Sequence, residues 1–176
     1  MKEWHIHGGM TTLGATAATV ALAIAAGAPV AGAQFDEYAM NGTFSVVSNG
    51  EWAQMNERYQ DQPTVRSTWT VDTVCSSALA CSGTVTSSLG WTANIYTVNG
   101  GMWYVKHDVP EWIPCDDGTR APGLQVYSFY SAAPDGTSQR FSDLWLGKDE
   151  TTGASGNCGR NLPLVLTMPV KISRTG

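Results

Sequence analysis

The sequence predicts an all-β fold: a single antiparallel meander barrel, or barrel-like sandwich, of about eight strands with one short helix and two disulfides. Three observations lead there. Apolar and polar residues alternate with the two-residue period of a half-buried strand, most clearly in Ser67–Val85. Gly, Asn, Asp and Pro punctuate short β-rich runs at steady intervals. Four cysteines, an even number, follow a leader-like start.

That start comes first in chain order. Residues 1–33 read as a secretory signal peptide: Lys2 and the amino terminus give the positive end, Thr11–Ala26 is an uncharged Ala-rich run, and Ala31-Gly32-Ala33 supplies small residues for cleavage between Ala33 and Gln34. The uncharged run is shorter and less apolar than the roughly 20 residues of a membrane span, so no stable span is expected after cleavage. The secreted domain is then 34–176, large enough for one core. The whole chain has 10 Lys and Arg against 15 Asp and Glu, a net charge of −5, with no basic stripe. That argues against nucleic acid as a partner.

Gln34–Met40 reads as a loose leader, and Gly42–Ser48 as a first strand ended by Asn49-Gly50. Trp52, Met55 and Tyr59 fall at i, i+3, i+7, which predicts one short helix over Glu51–Gln62, stopped by Pro63. Val65–Cys75 and Gly83–Ser88 form the central hairpin, with Trp69, Val71 and Thr73 on one face and Thr68, Thr70 and Asp72 on the other. Trp91–Val98 and Met102–Val109 make a second hairpin around Asn99-Gly100. Pro110–Gly123 is expected as a long loop, Leu124–Ala132 and Arg140–Lys148 as strands, and Leu164–Ile172 as the last strand, in which Pro169 marks an edge, bulge or end.

Of the three pairings four cysteines allow, Cys75–Cys81 and Cys115–Cys158 are expected, because the first closes the hairpin loop. A four-cysteine zinc site lacks its usual close spacing, and no metal or cofactor is expected. His107 is the one histidine after residue 33, and Asp108 beside it points to the opposite face of a strand, so the two make no catalytic pair. Asp116-Asp117-Gly118 reads as a turn, and Asp149-Glu150 is the other tight acidic pair. No catalytic residue is singled out. Six tryptophans remain after residue 33, and most of them are expected to fill the core. Trp112, in the proline-rich loop, together with Trp103 and Tyr104, is the candidate lining for a small apolar or sugar ligand.

The succession N-G-T-F at Asn41, S-N-G-E-W-A at Ser48, T-V-R-S-T-W-T-V at Thr64, C-S-G-T-V at Cys81, W-Y-V-K at Trp103 and C-x-D-G at Cys115 resembles small exported proteins of mycobacteria and related actinobacteria. Similar layouts occur in extracellular regions attached to actinobacterial membrane proteins and kinases. The resemblance runs over nearly all of 34–176 and implies export, the disulfides and the all-β fold. It carries over no activity and no site. The expected function is therefore an exported, disulfide-stabilised β domain of the cell envelope or extracellular space that binds a small ligand or an envelope protein without catalysis. The alternatives are an envelope hydrolase working through carboxylates and a purely structural secreted domain.

Overall fold

The computed structural model describes residues 35–98 and 101–176. The expected signal peptide, its Ala33/Gln34 junction and the Asn99-Gly100 turn lie outside the described residues. Ten strands follow in order: β1 (Gly42–Ser48), β2 (Gln54–Met55), β3 (Arg58–Tyr59), β4 (Val65–Ser77), β5 (Ala80–Ser87), β6 (Thr92–Val98), β7 (Met102–Pro114), β8 (Arg120–Ser131), β9 (Leu144–Gly153) and β10 (Leu164–Arg174). The long strands pair in the order β1-β4-β5-β6-β7-β8-β9-β10, and β10 returns to β1. All these pairings are antiparallel. The result is a closed eight-stranded meander barrel, which leaves no long edge exposed.

The alternation read in the central strand holds. Trp69, Val71, Thr73 and Cys75 of β4 point inward and are buried, while Thr68, Thr70 and Asp72 are exposed. Trp69 is fully buried. Its ring meets Tyr127 edge-on at 4.9 Å and Trp91 at 5.6 Å. Each such aromatic pair adds about 0.5–1.5 kcal/mol beyond area burial. Cys75 and Cys81 are direct cross-strand partners. They form a disulfide with Cα atoms 4.0 Å apart, and Cys115–Cys158 forms the second at 5.0 Å.

Four expectations need correction. No α-helix forms over Glu51–Gln62; the segment is a 3-10 turn, Gly50–Trp52, and the β2–β3 hairpin. Trp52 and Tyr59 are each 68% exposed, so the helical stripe had no core to cover. Asn56 and Glu57 have φ of 48° and 65°, the two positive values of a tight hairpin turn. Second, Pro110–Gly123 is mostly strand: β7 runs on through a bulge between Val109 and Ile113, and β8 starts at Arg120. Third, the strand expected at Arg140–Lys148 is shifted to Leu144–Gly153.

The fourth correction matters for the site. Phe35–Met40 is not a loose leader but a strap across one end of the barrel. The Met40 amide donates to Thr73 Oγ1 at 2.9 Å, and the Thr73 amide donates to Asn41 Oδ1 at 2.6 Å. Met40 is buried, and Phe35 and Tyr38 pack on the core. Pro169 sits where β10 changes partner from β1 to β2, so its missing N–H interrupts no ladder.

Candidate functional site

The end of the barrel under the strap holds a cavity of about 280 Å³, just below the roughly 300–1,000 Å³ of ligand pockets. Its wall follows from strand register. Thr97 on β6 is paired with Trp103 on β7, and Ser131 on β8 is paired with Trp145 on β9. All four side chains line the cavity. Trp103 and Trp145 are 7% and 6% exposed, so they form a floor more than an open platform. Arg174, at the end of β10, completes the wall. Its guanidinium lies 4.9 Å from the Phe44 ring and 5.9 Å from that of Trp145. It donates through Nε to Asp143 at 2.9 Å and through Nη1 to the Asn41 carbonyl. Tyr38 of the strap and Phe141 of the β8–β9 connection meet over the opening, with ring centres 5.6 Å apart. Phe141 is 62% exposed and has φ of 57°. The left-handed region is costly for a bulky aromatic residue, and such strain concentrates at ligand clamps. The Thr97 hydroxyl is buried and has no hydrogen-bond partner among the described residues.

Toward the opposite end the interior carries a buried polar cluster. The Asp149 carboxylate, 1% exposed, accepts a hydrogen bond from Ser48 Oγ at 2.6 Å and from Gln125 Nε2 at 2.7 Å. It thus ties β1, β8 and β9 together inside the barrel. Burial raises its pKa above the ordinary carboxylate value, against the opposing pull of those two hydrogen bonds and of His107. Burial, with the Asp149 charge adding to it, pushes the Tyr127 phenol up as well. His107 stacks on Trp91 with ring centres 4.0 Å apart, and its Nδ1 lies 3.1 Å from the Asp108 carbonyl. Its other ring nitrogen is buried without a partner among the described residues.

The three residues proposed as ligand lining are not brought together. Trp103 lines the mouth cavity. Tyr104 faces outward and stacks on Tyr96 at 5.7 Å. Trp112 lies at the other end of β7, on the order of 25–30 Å away along the strand. There its ring covers Gly123 and Gly153, where an added Cβ would fall 2.7 Å and 3.2 Å from Trp112 atoms. A second cavity, also about 280 Å³, adjoins that end between Ile113, Cys158 and Leu162.

Asp149 and Glu150, read as one acidic pair, face opposite sides of β9. Glu150 is outside and bridges to Lys148 at 2.8 Å. Asp149 is the only buried carboxylate among the described residues. A pair of carboxylates flanking a substrate, as glycoside hydrolysis requires, is therefore not assembled from Asp149-Glu150. Running the alternation of Trp145, Gly147, Asp149 and Thr151 past Lys148 would have placed Asp149 inside. Arg174, Phe141 and Tyr38 carried no comparable signal, since each reaches the mouth from a strand end or a connection. No helix among the described residues is long and apolar enough to cross a membrane.

These features define a class: a disulfide-stapled, closed antiparallel barrel with Trp112 packed into one end beside a small cavity, and a second, aromatic-floored cavity under the strap at the other. No family model and no curated protein matches the chain. Among solved structures it is similar to the sensor domain of M. tuberculosis PknI in its monomer form, at 16% identity and a TM-score of 0.55, over 78% of this chain and 88% of that one. At that identity the likeness is one of fold.

Proposed function

We propose that this chain is an exported, disulfide-stabilised β domain of the cell envelope or extracellular space, which binds a small ligand or a partner at the barrel mouth without catalysis. The mouth cavity carries the reading. It combines an apolar floor of Trp103 and Trp145 with a guanidinium held in place by Asp143 and Asn41, and it lies beneath a strained, exposed Phe141. Two disulfides suit an oxidising compartment, and the signal-peptide pattern of residues 1–33 points the same way. The likeness in fold to the PknI sensor domain supports a sensing or binding role, and the sequence motifs resemble those of small exported actinobacterial proteins.

Mass spectrometry of the protein purified from the exported fraction tests this. The expected result is a mature chain starting at Gln34 that carries a copurifying small molecule, lost in Trp145→Ala. A chain retained from Met1, or one that arrives empty and whose Trp103 and Trp145 indole signals are unmoved by envelope extract, would sink the reading.

A further inference from the structure

The mouth cavity carries charges that the fold itself does not use. Asp143 and Arg174 neutralise each other through their 2.9 Å bridge. Arg140 and Glu37 remain. Both line the cavity and both are exposed, and neither has an ion-pair partner among the described residues. They belong to the two segments that meet across the opening: Glu37 precedes Tyr38 in the strap, and Arg140 precedes Phe141. Below them lie the two tryptophans, the buried Met40 and the unpartnered Thr97 hydroxyl. A lone exposed charge is ordinarily just solvated. Here one of each sign flanks the entrance to an aromatic-floored cavity of about 280 Å³, which is small.

We propose that this cavity takes a small zwitterion with a flat apolar side chain, of the class of aromatic α-amino acids. The proposal rests on the ligand-binding reading above and names the ligand's chemistry. The carboxylate is held by Arg140 and the ammonium group by Glu37. The side chain fills the space over Trp103 and Trp145, and Phe141 closes over it. Other ligand classes match less of the site. A neutral sugar or a hydrocarbon would leave both rim charges without a role. A simple anion would face Glu37 with nothing to compensate it.

L-Phenylalanine, N-acetyl-L-phenylalanine and L-phenylalaninamide are the probes, followed through the indole N–H signals of Trp103 and Trp145. L-Phenylalanine should shift both signals, and each blocked analogue should bind about tenfold more weakly, the usual loss of one charge-assisted contact. Arg140→Gln should erase the discrimination against the amide only, and Glu37→Gln that against the N-acetyl compound only. Both positions are exposed, so both variants should fold. Blocked analogues that bind as tightly as the parent would overturn the proposal, as would indole signals unmoved by millimolar L-phenylalanine. In that second case, a copurifying molecule of another class that moves the same signals would leave the binding reading standing while the zwitterion falls. If nothing moves them, both fall.

Discussion

The two ends of the barrel share eight strands and are finished in opposite ways. At the closed end, inward positions carry polar side chains that satisfy one another, Ser48 and Gln125 on Asp149, and a bulge in β7 lets Trp112 lie over two glycines. At the mouth, inward positions carry Trp103 and Trp145, and the gap above them is bridged by a strap and a connection, not filled by strand residues. Two tryptophans of a single strand thus serve different ends: Trp112 plugs one, and Trp103 floors the other. The lesson is that an aromatic residue on a barrel strand marks packing or a pocket according to what stands opposite. A glycine opposite accepts the ring and closes the space. A serine or threonine beside the ring leaves room and a polar contact.

The largest effect should come from the residue between the ends. Trp69→Ala should cost about 3–5 kcal/mol in urea unfolding, because Trp69 touches Trp91 and Tyr127 together. A loss confined to one end in hydrogen exchange would show that the ends are independently stable. Next, the double variant Cys115→Ser with Cys158→Ser should cost about 2–4 kcal/mol. Exchange should rise first in residues 111–123, at the closed end, with the mouth unchanged. Equal loosening at both ends would break the comparison.

Gly153→Val should follow, at about 1–3 kcal/mol, since its Cβ would meet Ile113 Cδ1 at 2.4 Å and Trp112 Cζ3 at 3.2 Å. Displacement of Trp112 should show as greater quenching by acrylamide, while Trp103 stays protected. Asp149→Asn concerns pH. Between the ordinary Asp value near 3.9 and its raised folded value, the native chain keeps a proton that the unfolded chain has lost. Stability therefore falls as pH rises through that window. The variant should flatten that fall in thermal scans from about pH 4 to 8. Parallel curves for the two proteins would mean that the closed end tolerates the charge. The smallest effect belongs to Asp72→Ala on the outer face, within about 0.5 kcal/mol. A cost comparable to that of Trp69→Ala would mean the register of β4 is misassigned.

The all-β class, the inward face of β4 and the Cys75–Cys81 bond were legible in the residues, because period-two alternation and a hairpin between Cys75 and Cys81 are local properties of the chain, and Cys115–Cys158 followed as the remaining pair. The helix expected over Glu51–Gln62 failed on the same physics from the other side: a periodic stripe predicts a helix only where something covers it, and Trp52 and Tyr59 face water. Tertiary structure alone decided the rest. Closure depends on β10 meeting β1, more than a hundred residues away in sequence. The strap docks because Thr73 exchanges hydrogen bonds with Met40 and Asn41, 33 and 32 residues distant. Arg174, Phe141 and Trp145 converge on Trp103 only once the summed registers of eight strands set which residues share an end. Alternation says which face of a strand a side chain takes, whereas register and the bulge in β7 decide which end of the barrel it reaches.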